Sequence, residues 1–402
     1  MWNSYARYVW YGSCVLLMLL SMSCGSTTES SHVKVAIVLP GGLPEVYEAV
    51  QRASDMALAE RTPNTSEREI DIIFVGRDGQ PDDMDTGEKP AEPSHTNEQR
   101  ALMQVVDDKQ VVAVLGGYSS DEARETIPFL NQFDIPYVSA FATWPGLTKP
   151  GYAPGEPGIY YPGGHRTFFR VVPGDDVQAI VAAAWMKRKR LDDVYIVANK
   201  SAYAESLANI FLARTSLEGL KIVGHETFDQ LDTHQQDALA RRIAQAKPKV
   251  IYYPVDRSVD YTLVETIRTR NPDVPIVGGD ALLYLSLPDS TEGIDDMYAT
   301  SIAPPVDTVA GAEFVEQYRG TYGTLPDTST LSLYEALRVV FKAIDNAEEP
   351  TRLRVLEAMH NLGEISGVMG TWSFDAYGDT SLQTINLLHI QDGKWVSLEE
   401  VG

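Results

Sequence analysis

The sequence predicts an α/β protein made of two doubly wound parallel sheets, and three observations predict it. Short apolar runs stopped by glycine, proline or polar residues recur along the chain, among them Val33–Leu39, Ile70–Val75, Val111–Leu115, Val194–Ala198 and Val250–Tyr253. Longer segments with apolar residues at helical spacing lie between them. The alternation comes in two series, divided at Phe168–Pro173. Repeated strand–helix units of this kind wind into parallel sheets with helices on both faces.

The opening stretch stands apart from that pattern. Arg7 is its only charge, Val15–Leu20 is apolar, and small residues lead to Cys24. The apolar run is shorter than the roughly 20 residues a spanning helix needs, so it reads as an export signal. Cys24 and the polar run Gly25–Ser31 resemble a bacterial lipoprotein signal, with Ser21 where leucine is usual. That resemblance implies a signal over 1–24, a lipidated Cys24 and a linker over 25–32. An ordinary cleaved signal with an incidental cysteine is the other reading. Cys14 and Cys24 are the two cysteines of the chain. The body beyond them has no thiol for a disulfide, a metal or a nucleophile. It is long enough for two domains standing on their own cores. With 56 acids against 33 bases the net charge is −23. Such a chain repels phosphate backbones, which excludes nucleic acid as a partner.

In the first series, Val33–Leu39 is a strand stopped by Pro40–Gly42, and Val46–Glu60 a helix. Ile70–Val75 is the next strand, followed by an acidic, proline-bearing insertion over residues 78–97. Its spacing matches no calcium loop, so it reads as solvated. The helix Glu98–Asp107 leads to the strand Val111–Leu115, and Gly116–Gly117–Tyr118–Ser119–Ser120 turns into the helix from Asp121. Glycines there let a ligand approach the backbone, and the free amides of a helix start attract an anion. Ser119 and Ser120 add hydroxyls, although a helix cap is the plainer role for Ser120. Ile135–Ser139 is the fourth strand, followed by Phe141, Thr143 and the long Gly/Pro/Tyr segment of residues 146–166. That segment reads equally as a cleft cover or a surface decoration.

The second series begins with a helix at Asp176–Lys189. It continues with strands at Val194–Ala198, Leu220–Val223, Val250–Tyr253 and Pro275–Gly278, and helices at Tyr203–Leu217, Gln235–Ala246 and Ser258–Arg270. Met297–Thr300 then reads as a second crossover. Helices follow at Gly311–Tyr322, Thr330–Asn346 and Arg352–Leu362, then a strand from Gly370 and a terminal hairpin.

No catalytic motif is present: no G-x-S-x-G, no phosphate loop, no G-x-G-x-x-G and no H-E-x-x-H. The seven histidines show no metal-ligand spacing. No cofactor is expected. Ligands of open α/β sheets sit beyond the carboxyl ends of the strands. Those ends carry Ser119 and Ser120, Phe141 and Thr143, Asp256, and Asp280 after Gly278–Gly279. Hydroxyls and amides on one side suit a carboxylate, and acids on the other suit an ammonium, so a zwitterion fits between them. Tyr203 starts a second-series helix and adds a ring. Cap or turn roles compete for both acids, and for Asp256 the turn role is favoured.

The stretches Val114–Ser120, Pro136–Thr148, Tyr203–Ala208, Ile251–Tyr253, Val277–Asp280 and Gly370–Asp375 resemble the type I periplasmic binding proteins, the leucine/isoleucine/valine-binding group above all. The likeness covers the chain from about Val33 onward. It implies two lobes joined by three hinge crossings near Arg170, Tyr298 and Gly370. The lobes would comprise residues 33–169 with 300–369, and 170–299 with 370–402. It implies carboxylate binding at Ser120 and Thr143, a backbone contact at Phe141, an aromatic contact at Tyr203 and ammonium binding at Asp280. Pro40–Gly42 and Asp256 depart from the family pattern. The function implied is capture of a small amino-acid-like ligand for the membrane permease of an ABC transporter, with the membrane reached only through a lipid anchor. The competing expectation is a lipoprotein that uses this fold to contact a protein, a cell-wall enzyme or sensor, without a small ligand. An enzyme is not expected.

Overall fold

The computed structural model describes residues 32–39, 44–61, 68–76, 97–285, 287, 294, 296–306 and 310–401. The leader with Cys24, the turn Pro40–Gly42 and nearly all of the acidic insertion lie outside the described residues.

The first series forms β1 (Val33–Val38), α1 (Pro44–Glu60), β2 (Ile70–Val75), α2 (Asn97–Asp107), β3 (Val111–Leu115), α3 (Ser120–Asn131), β4 (Tyr137–Ser139) and β5 (Phe168–Arg170). Its five strands make a parallel sheet in the order β2-β1-β3-β4-β5. The second series forms α4 (Asp175–Arg188), β6 (Asp193–Asn199), α5 (Ala202–Glu218), β7 (Lys221–Phe228), α6 (Thr233–Ala246), β8 (Val250–Tyr253), α7 (Thr262–Arg268), β9 (Ile276–Gly278) and β10 (Met297–Ser301). Its strands are parallel in the order β7-β6-β8-β9-β10. The same winding is thus used twice. In each sheet the strand order reverses at the first strand, between β1 and β3 and between β6 and β8. That reversal opens a crevice at the carboxyl ends.

Strand side chains alternate between the two faces of each sheet, as the period of 2 requires. Val35 and Ile37 enter one core, and Ala36 and Val38 the core on the opposite face. In β6, Val194, Ile196 and Ala198 face one core while Tyr195 and Val197 face the other. This burial on both faces is why the strands read as continuous apolar runs.

The chain returns to the first body through α8 (Ala312–Tyr322), α9 (Thr328–Asn346) and α10 (Arg352–His360). The α9 residues Leu333, Leu337, Val340 and Ile344 join the core that also holds Val35 and Ile37. Gly370–Trp372, near which a crossing was expected, is instead strand β12, paired with β11 (Ile365–Gly367), and Trp372 packs in this same first core. The chain joins the second sheet later, as the antiparallel hairpin β13 (Ile385–Gln391) and β14 (Lys394–Val401) beside β10. The helix expected from Ser258 begins only at Thr262. The side chains of Asp256 and Asp260 accept from Ser258 and Thr262 and hold the preceding residues in turns. The segment of residues 146–166 packs down: Glu156 is buried and accepts from Trp144 Nε1 at 3.0 Å and from the Tyr160 hydroxyl at 2.5 Å.

Candidate functional site

The carboxyl ends of the two sheets meet. Asp121, in the first turn of α3, accepts from the amide of Ala202 at the start of α5, at 3.1 and 3.2 Å from its two oxygens. An acid from one body thus lies at the positive end of a helix of the other. Phe141, after β4, meets Tyr284, after β9, edge to face with ring centres 5.8 Å apart.

The glycine turn after β3 is built for close approach. Gly117 has a φ of +68°, which favours glycine, and a Cβ there would stand 3.0 Å from the Tyr137 hydroxyl. Ser119 caps α3 by accepting from the amide of Glu122 at 3.1 Å. Ser120 is buried, and its hydroxyl accepts from the Trp144 amide at 3.1 Å, tying this turn to the loop after β4. Ser139, which sequence reasoning passed over, completes the tie. Its hydroxyl donates to Gly117 O at 2.7 Å and accepts from the amides of Phe141 and Ala142. The Phe141 amide is therefore held within the protein. The hydroxyl of Thr143 is fully buried and lies against the carboxyl of Asp175.

Arg170, at the end of β5, locks that loop from below. It is fully buried, donates to Trp144 O at 2.7 Å, to Ala142 O at 3.3 Å and to Thr148 Oγ1 at 2.7 Å, and pairs with Asp379 at 2.8 Å. Burial alone would raise the carboxyl of Asp379, but the Arg170 guanidinium beside it overrides that and holds it below the usual carboxylate range.

On the other side, Asp280 is buried and accepts from the Tyr203 hydroxyl and from Gln178 Nε2, each at 2.8 Å. Gly279 is what lets Tyr203 reach it, because a Cβ there would collide with the Tyr203 hydroxyl. Gln178 also donates weakly to Asp175 Oδ1 at 3.3 Å and accepts from the Thr300 hydroxyl at 2.6 Å. Asp175 is the acid that sequence reasoning missed. It opens α4, its amide donates to Thr143 O at 2.9 Å, and its buried carboxyl lies against the Thr143 hydroxyl. Burial, and then the neighbouring charge of Asp280, push the Asp175 carboxyl well up, against the hydrogen bond with Thr143 and the charge of Arg170. Burial also raises Asp280, and the hydrogen bonds from Gln178 and Tyr203 and the charge of Arg257 offset part of it. Two buried carboxylates joined by one amide side chain cannot both ionise without a cation.

The structure thus brings together Thr143, Tyr203 and Asp280 of the residues named from sequence, with Ser120 and Phe141 on the facing loops. Ser119 is spent as a cap. Asp256 is turned away: its Oδ1 accepts from Ser258, and its amide donates to Asn199 Oδ1 at 3.0 Å. Its neighbour Arg257 takes the place by the cleft, with its guanidinium carbon 5.3 Å from the centre of the Phe141 ring and 4.3 Å from that of Tyr284. Away from the cleft, the parallel pairing of β1 and β2 gathers His32, Glu69 and Asp71, whose possible ligand atoms lie within 4.8 Å of one another. Histidine spacing gave no sign of that group, and the 2.7 Å His32–Asp71 pair accounts for it without an ion.

A family model described as periplasmic binding protein matches residues 86–394. The chain is 24% identical over 292 residues to the Leu/Ile/Val-binding protein homolog 1 of Brucella abortus (strain 2308), covering 69% of this chain and 75% of that one. Among solved structures it is similar to the branched-chain amino acid transporter substrate binding protein LivJ of Streptococcus pneumoniae in complex with isoleucine. The TM-score is 0.74 at 21% identity, over 92% of this chain and 99% of the other. It is also similar to a solute binding protein of an ABC transporter from Rhodopseudomonas palustris in complex with 3,4-dihydroxybenzoic acid. There the TM-score is 0.71 at 15% identity, over 92% and 97%. At these identities the likeness to solved structures is one of fold. With the family model spanning most of the sequence and the two lobes wound as described, the chain belongs to the type I periplasmic binding proteins of the leucine/isoleucine/valine-binding group.

Proposed function

We propose that this protein captures a small zwitterionic ligand of the amino-acid class between its lobes and delivers it to the permease of an ABC transporter. The observation that carries the proposal is a pair of neighbouring buried acids with no cation paired to either among the described residues. Asp175 lies against the Thr143 hydroxyl and shares Gln178 with an Asp280 already gripped by Tyr203, and among the described residues neither acid has an ion-pair partner. Burying two acids side by side without a cation costs stability, and an ammonium supplies further donors and the missing charge. The glycine turn and the loop after β4 would take the carboxylate, through the hydroxyls of Thr143 and Ser120. Ligand would favour the closed arrangement because it bonds both lobes only when they meet. The contact of Asp121 with α5 and of Phe141 with Tyr284 supports closure of this kind.

Export agrees with the family and with the leader. Among the described residues no helix is long and apolar enough to cross a membrane. Anchoring through a lipidated Cys24 remains part of the proposal. The test is a thermal-melt screen against amino acids, their amides and simple carboxylates. A ligand at 100 times its Kd adds about 2.7 kcal/mol of stability. Asp280→Asn and Thr143→Val should each remove the shift while leaving the unliganded melt near that of the wild type. A panel without any shift, or a shift untouched by Asp280→Asn, would overturn the proposal.

A further inference from the structure

The cations around the cleft are not equally committed. Arg170 is paired with Asp379 and two carbonyls, Lys149 with Asp379 and Asp176, and Arg124 with the Tyr160 hydroxyl. Arg257 differs. Among the described residues it makes no ion pair and no hydrogen bond, and its contacts are the rings of Phe141 and Tyr284. One ring comes from each lobe, and Tyr118 stacks behind Phe141 with centres 5.2 Å apart. Attraction to ring faces fixes where a guanidinium sits but satisfies none of its five N–H donors. Arg257 is partly buried, so those donors are only partly hydrated. Tyr284 ends the short turn that Asp280 opens, and Phe141 lies in the loop that carries Thr143, so Arg257 stands at the same site as the buried acids.

The cleft therefore holds two kinds of unmet group. The acids lack a cation, and the guanidinium lacks an anion. A neutral amino acid satisfies the first and leaves the second. Resting on the zwitterion reading above, we propose that Arg257 is the specificity-determining residue of this cleft and selects an amino acid with a second, side-chain carboxylate. A planar carboxylate can take two parallel N–H bonds from a guanidinium held in this way, and an amide of the same shape cannot. Asp256, the acid named from sequence at this loop, would have favoured the opposite charge. The turn that spends it on Ser258 presents the cation beside it instead.

Titration calorimetry on the intact purified protein tests this with L-glutamate, L-aspartate, L-glutamine, L-asparagine and L-leucine, for the wild type, Arg257→Gln and Arg257→Lys. The wild type is expected to bind an acidic member at least about tenfold tighter than its amide. Arg257→Gln is expected to bring that ratio to within about twofold, and an unliganded thermal melt close to that of the wild type shows the variant to be folded. Arg257→Lys is expected to fall between them, keeping charge without the planar fork. If leucine or the amides bind the wild type as tightly as the acids, or if the preference survives Arg257→Gln, Arg257 is only a strap between rings and the proposal is overturned while the zwitterion reading stands. If none of the five binds, both fall.

Discussion

Asp379→Asn should be among the more costly single changes in this protein, and its size can be worked from the contacts. The side chain is nearly the same shape, but the charge that balances the fully buried Arg170 is gone. Lys149, 3.1 Å from the other carboxylate oxygen, loses the same partner and leaves two cations facing each other. Breaking a buried ion pair by neutralising one member costs about 3–5 kcal/mol. The asparagine oxygen can still accept from Arg170 Nε, so the lower end, about 3 kcal/mol, is expected. Urea unfolding at neutral pH measures this directly. A second signature follows from the sign of the titration. Because the folded carboxyl lies below its unfolded value, its contribution is present above the ordinary carboxylate pKa and is lost as pH falls through the folded one. The gap between wild type and variant should therefore close toward strongly acid pH. Ligand affinity should weaken as well, because Arg170 holds the carbonyls on either side of Thr143. A loss below about 1 kcal/mol, or a gap indifferent to pH, would refute the claim that this pair anchors the site.

Two further outcomes follow from the same network. For Asp175 and Asp280 the folded carboxyls lie above their unfolded values, so the sign is reversed: unliganded stability should fall as pH rises from the ordinary carboxylate range through the folded pKa. Stabilisation by an ammonium-bearing ligand should grow over that same interval, and Asp175→Asn should flatten both trends in urea titrations at stepped pH. Asp121→Ala removes the contact with the Ala202 amide between the lobes and should weaken ligand affinity roughly two- to threefold, an exposed pair being worth little. Small-angle scattering of the unliganded variant should show a larger radius of gyration than that of the wild type.

Much of the site was legible before folding was known. Tyr203 and Asp280 follow strand ends that the apolar runs mark plainly, and Gly279 beside Asp280 is a glycine for a steric reason that the structure supplies. Ser139 left no such signal, because a serine ending a strand looks like any other until its hydroxyl is seen joining two turns. Asp175 was hidden differently. An acid in the first turn of a helix is ordinary, and Asp176 next to it has the same credentials.

By itself the sequence determined the alternation of strands and helices, the two series, the glycine turns and the strand ends that carry the candidate groups. These are local matters, set by periodicity and by the residues a tight turn tolerates. Only the tertiary structure decided which groups face one another. Gln178 joins Asp175 to Asp280 although Gln178 and Asp280 stand 102 residues apart in sequence. The choice between Asp256 and Arg257 was made by a single turn. Adjacent residues point in different directions, and the charge a cleft presents depends on which of them the backbone turns inward. Composition cannot report that, because it is fixed by hydrogen bonds formed only after the strands have paired.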